Sequence, residues 1–148
     1  MLRTLSAGVL IAVFAFTVCG DEPNLNAELR ALQGNWKPAA LKYEEFNTMP
    51  EEMLRQVTGV YDKDEFHLYY VDRSRDGSPL KLMVAKAAFD SATKTMSFEC
   101  ERGALRGHKL HGIYELTDTT LKLCYGPTDK PRPTAFNTPK GSGCFYEV

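Results

Sequence analysis

Apolar residues recur along this chain with two different periods, and the change of period divides it. Over residues 24–34, Leu25, Leu29 and Leu32 fall at helical spacing; Asn24 or Asn26 can cap the segment and Gly34 ends it. A strand starts near Trp36, but Pro38 has no N–H to offer a ladder and belongs at an edge or a bulge. Residues 50–55 predict a second short helix, with Thr48 as its cap and Pro50 in the first turn, where the missing donor costs nothing. Beyond this point the period is two. Phe66, Leu68 and Tyr70 alternate with His67 and Tyr69 as in a half-buried strand, and further strands are predicted at 58–61, 80–88, 95–101, 113–116, 121–125 and 145–148. The polar stretch 117–120 is short enough for a hairpin. Helical patterning is missing between these segments, which leaves no connection for parallel crossovers and predicts an antiparallel meander of about eight strands. Such a meander removes its edges by closing into an up-and-down barrel.

The N-terminus stands outside this pattern. Arg3 precedes an uncharged, largely apolar run over residues 5–18, and polar sequence follows at once. The run is shorter than the roughly 20 residues that span a bilayer. Residues 1–20 are therefore read as a secretory signal peptide, and residues 21–148 as one domain working outside the cytoplasm, periplasmic or secreted. Two processing routes are open. Cleavage after Gly20 leaves a soluble chain, whereas a degenerate lipobox, Phe16-Thr17-Val18-Cys19, would lipidate Cys19 and hold the protein at a membrane. Val18 departs from the Gly or Ala usual at that position.

Charge narrows the partners. Removing residues 1–20 takes away only Arg3 among the charged residues, so 18 basic and 19 acidic residues become 17 and 19. A slightly acidic chain lacks the dominant basic face that nucleic acid or an anionic membrane surface requires. A single domain of this size stands as a monomer on its own core without metal. Apart from Cys19, the cysteines are Cys100, Cys124 and Cys144. An odd count allows one disulfide and a spare thiol, or three buried free thiols. If the last strand pairs beside 121–125, a Cys124–Cys144 bridge would add roughly 3 kcal/mol in the chain-entropy model.

Gly34-Asn35-Trp36, entering the first strand after a short helix, resembles the signature of lipocalins, in which the Trp plugs the closed end of the barrel. Residues 32–36, 112–116, 121–125, 132–136 and 141–143 together resemble an uncharacterised lipocalin-like domain family abundant in planctomycete bacteria, over nearly the whole mature chain. The resemblance implies a small exported protein with a lipocalin-like barrel, short N-terminal helices and no assigned activity. It makes Gly34 and Trp36 structural residues of the barrel end. Two departures stand out: Pro38 interrupts the first strand, and the chain ends in Cys144-Phe145-Tyr146-Glu147-Val148 where family members close on basic residues. Arg132 is then the nearest candidate for the arginine that lipocalins commonly stack on the Trp.

Catalytic chemistry is not apparent. His108 and His111 are three apart at the start of a strand and so point to opposite faces, unsuited to sharing a metal. Glu44 with Glu45, and Glu51 with Glu52, are adjacent carboxylates of the kind that line a solvated face rather than an acid–base cleft. No catalytic residue, cofactor or metal is expected. The segment 126–143, stiffened by Pro127, Pro131, Pro133 and Pro139, is expected to cap the barrel end or to govern entry to its interior. An eight-stranded barrel can hold one small apolar ligand. Phe66, Tyr70, Phe98 and Tyr114 are the candidate walls, with Arg132 and Phe136 at the mouth. The alternative is a structural domain, or one that binds an envelope protein, with the same aromatics filling a solid core.

Overall fold

The computed structural model describes residues 25–44, 47–71 and 77–148. Residues 1–20, expected to be a signal peptide, and with them Cys19, lie outside the described residues. The first element is α1 (Ala27–Leu32), capped by Asn26, whose Oδ1 accepts from the Leu29 N–H at 2.9 Å while its Nδ2 donates to the Phe89 carbonyl at 2.6 Å. One side chain thus starts the helix and ties it to the sheet. Gln33 does the same at the other end. Its Nε2 donates to the carbonyls of Leu29 and Lys63, and its Oε1 accepts from the Lys63 N–H. Gly34 follows at φ 113°, a backbone conformation that side chains disfavour.

Ten strands form one antiparallel sheet: β1 (Gly34–Trp36), β2 (Leu41–Tyr43), β3 (Asn47–Thr48), β4 (Val57–Asp62), β5 (Glu65–Val71), β6 (Pro79–Asp90), β7 (Thr95–Gly103), β8 (Lys109–Leu116), β9 (Leu121–Pro127) and β10 (Phe145–Glu147). Their order is β1-β4-β5-β6-β7-β8-β9-β10-β2-β3. The short helix α2 (Glu51–Leu54) lies between β3 and β4. Pro50 is its cap residue, and Thr48, expected to cap it, pairs instead with Lys42 in the β2–β3 ladder.

The two ends of this order belong to one stretch of chain. β1 pairs with β4, β2 pairs with β10, and only Lys37, Pro38, Ala39 and Ala40 separate them. Pro38 sits where the first strand leaves one neighbour for the other, the only kind of place in a ladder where its missing N–H does no harm. Ala39 and Ala40 then donate to the Val148 carbonyl at 2.6 and 3.2 Å. Counting β1 and β2 as one bent stave, and leaving the two-residue β3 aside, the ten strands make the eight staves of a lipocalin-like barrel.

Alternation along the staves sends one set of side chains inward. Tyr61, Phe66, Phe89, Met96, Phe98, Tyr114 and Leu123 are all buried in a single cluster, closed at one end by Leu29 and Leu32 of α1. The aromatic rings pack edge to face or offset, as Phe89 against Tyr114 at 4.9 Å and Phe98 against Tyr125 at 5.6 Å. Gly112 is required where β8 passes beneath β9, because a Cβ there would stand 2.2 Å from the Cys124 carbonyl oxygen.

Two expectations are overturned. Cys124 and Cys144 are not bridged, and Cys100 is free as well. The β9–β10 register sets Tyr146 opposite Cys124, so Cys144, just before β10, lies diagonal to it. The long β9–β10 connection also does not cross a barrel mouth. It runs down the outside of β8, β9 and β10. There the Lys130 carbonyl meets His111 Nε2 at 3.0 Å, the Asn137 carbonyl accepts from Cys124 Sγ at 3.3 Å, and the Thr138 hydroxyl donates to the Glu44 carbonyl at 3.0 Å. This cover buries Cys124 although its side chain points away from the barrel core.

Candidate functional site

Buried side chains fill the centre of the barrel, and a cavity lies at the bend of the first strand. Phe98 and Tyr114 are 1% and 2% exposed, and Met96 and Leu123 fill the space between them and their neighbours. Near Pro38 a cavity of about 140 Å³ remains, walled by Trp36, Tyr61, Phe66, Leu121 and Leu123. Thr119 and Thr120 of the β8–β9 turn, the Lys37–Pro38–Ala39 link and Val148 form its rim.

Each wall has a local reason. Trp36 is held by its indole N–H, which donates to the Leu32 carbonyl at 2.7 Å, so α1 fixes the ring at the barrel end. Gly59, opposite Trp36 on β4, leaves the space a side chain would take; a Cβ there would stand 2.8 Å from the Phe66 ring. Tyr61 stacks obliquely on Phe66 at 4.8 Å. Its hydroxyl is buried and, among the described residues, has no hydrogen-bond partner. The Tyr114 hydroxyl lacks one too, but the Glu28 carboxylate lies near it, and burial together with that charge pushes Tyr114 up to about 12.

Glu147 brings the one acidic side chain among the cavity residues. On β10 it alternates inward with Phe145, and it sits opposite Leu123 on one side and Leu41 on the other. Among the described residues its carboxyl makes no hydrogen bond or ion pair. Desolvation pushes its pKa up to about 7. Its negative charge in turn raises Tyr61 and Tyr125, whose own burial is the larger cause. Lys37 lines the same cavity but spends its ammonium on β4, donating to the Val57 carbonyl and the Thr58 hydroxyl.

The residues singled out from sequence do not gather into one site. Phe66 is at the cavity, with Trp36 beside it and Gly34 leading in. Phe98 and Tyr114 lie in the filled centre. Tyr70 is half-buried further along β5, opposite Val57. Phe136 packs on the outward Tyr146 ring at 6.2 Å. Arg132 lies on the outer face near Ala88, Ser97 and His111, so it does not stack on Trp36. Among the described residues no three His, Cys, Asp or Glu side chains are grouped to hold a metal.

Tyr61, Gly59 and Glu147 were not anticipated. The signal for Glu147 was present: in a strand reading Phe145-Tyr146-Glu147, a period of two puts the carboxylate on the same face as Phe145. The chain matches no protein-family model, no curated protein and no solved structure.

Proposed function

We propose that this protein is an exported lipocalin-like binding module that takes one small, largely apolar ligand at the helix-capped end of its barrel, as a monomer. The observation that carries the reading is the cavity beside Trp36, Tyr61 and Phe66, left open in a barrel whose centre is filled. Its volume of about 140 Å³ is close to that of an engineered apolar cavity that takes up benzene. The ligand is therefore one ring or a short chain, smaller than a deep lipocalin cup would accept. In this reading residues 1–20 direct export, and Cys19 decides between a free and a membrane-anchored form. The likeness to the planctomycete lipocalin-like family supports the same assignment, with analogy of fold as its only warrant.

A second reading is favoured by the packed centre of the barrel, where Phe98, Tyr114 and Met96 leave no room. On that reading the domain is structural, or binds a protein of the envelope, and the end cavity is incidental. Native mass spectrometry of protein purified from its own envelope separates the two. A reproducible added mass that organic extraction removes supports the binding module; a clean apo mass supports the structural domain.

A further inference from the structure

We infer that the ligand of the end cavity carries a basic amine, with the Glu147 carboxylate as its counter-ion and the aromatic wall of Trp36, Tyr61 and Phe66 around its body. This deepens the binding reading and rests on it. Three observations lead there. The first is the carboxyl of Glu147, which lines the cavity half-buried and, among the described residues, has no ion pair or hydrogen bond. The second is the wall around that carboxyl, where Trp36, Tyr61, Phe66, Leu121 and Leu123 enclose the same space with apolar surface. A carboxylate set in a largely apolar wall specifies a ligand with a polar head and an apolar body.

The third observation is the sign of the surroundings. Glu147 is faced by Tyr61 from β4 and by Tyr125 from β9. Lys37, on the link after β1, is occupied by β4, and Lys42 of β2 pairs with Tyr146, on the outward side of the sheet. Among the described residues no cation on these elements pairs with the carboxylate. Trp36, Tyr61 and Phe66 add aromatic surface, whose negative faces attract an ammonium and not an anion. An acid is repelled by Glu147, and a neutral ligand leaves the carboxylate uncompensated.

Proton linkage gives the inference a signature that apolar binding alone lacks. A cation prefers the ionised carboxyl, so binding pulls a proton off Glu147 wherever it is still protonated. Since its pKa lies up at about 7, amine affinity should rise with pH through neutrality and level off above it. Between pH 5 and pH 8 the gain approaches roughly 100-fold for a single linked proton.

The test is calorimetric titration of the purified protein with phenethylamine, phenethyl alcohol and phenylacetate, which share a ring and differ in the head. Phenethylamine is expected to bind at least tenfold more tightly than the alcohol, and phenylacetate not to bind. In buffers of different ionisation enthalpy at pH 6, amine binding should release close to one proton. Glu147→Gln should remove the pH dependence and the preference for amine while leaving alcohol binding in place. The proton count is read on the unaltered protein, so it decides the matter even if that variant folds poorly. Equal affinity for amine and alcohol, or pH-independent amine binding, overturns the amine inference and leaves the binding module standing. No binding of phenethylamine also overturns it, and the added mass in native mass spectrometry then decides separately whether the binding module survives.

Discussion

At the scale of single residues, Glu147 and Gly112 make the most specific claims. Glu147 has a folded pKa of about 7 against an ordinary value of 4.5, so between those values the native chain holds a proton that the unfolded chain has released. Its contribution is complete below the unfolded value and is lost as pH rises through 7. Urea denaturation should therefore show the protein losing about 2 kcal/mol from this group between pH 5 and pH 8, after allowance for water reaching the carboxyl through the cavity. Glu147→Gln should flatten that part of the slope, and an unchanged slope in the variant would place the pH dependence elsewhere. Gly112 is constrained by space. The atoms that a Cβ would meet include the backbone of Cys124 and Tyr125, which cannot swing aside as a side-chain tip can. Gly112→Ala should cost about 3 kcal/mol, read as a lowered denaturation midpoint with unchanged cooperativity.

At the scale of elements, α1 is short and survives through its ends. Six residues make too few internal hydrogen bonds to persist alone. Asn26 and Gln33 anchor it to β6 and to the β4–β5 turn, and Leu29 and Leu32 press it into the barrel. Asn26→Ala removes a cap and a cross-link together and should cost about 2 kcal/mol in thermal melts followed by circular dichroism. The outer β9–β10 connection makes a different claim. It covers Cys124, and burial pushes that thiol up to about 11 and raises Cys100 too. Cys100, Cys124 and Cys144 should all titrate as free thiols in denaturant and resist aromatic disulfide reagents in the native protein. Rapid native labelling of Cys124 would mean that the connection lifts from the sheet. Recovery of an intact Cys124–Cys144 peptide from unreduced protein would mean that the strands adjust to bring the two sulfurs together.

At the scale of the whole molecule, the barrel is completed by one strand that serves two neighbours. That arrangement leaves a bend at Pro38, and the bend leaves the cavity. Filling it should separate ligand binding from folding. Leu121→Trp directs a larger ring into the space and is expected to abolish the extractable mass and phenethylamine binding while leaving the melting temperature within a few degrees of the parent. A variant that folds and still carries the ligand would move the site away from this end of the barrel.

Much of this architecture was legible along the chain. The period-two alternation, the short polar turns and the single helix-stopping Gly34 are local features. They pointed to the antiparallel meander, to a cap at Asn24 or Asn26, to the break at Pro38 and to Phe66, Phe98 and Tyr114 as inward, though they set Tyr70 and Phe136 in the same group. What no local pattern could settle was which surfaces meet. Whether residues 128–144 crossed a mouth or lay on an outer face depended on partners far away in sequence, His111 and Glu44 among them. The diagonal offset of Cys124 and Cys144 followed from register, and register depends on the packing of whole strands. The same holds for Glu147. Alternation set its direction, but the pairing of β10 with β9 and β2 placed it, half-buried, in the wall of the cavity with Tyr61, and that environment turned an ordinary carboxylate into the chemical head of a candidate site.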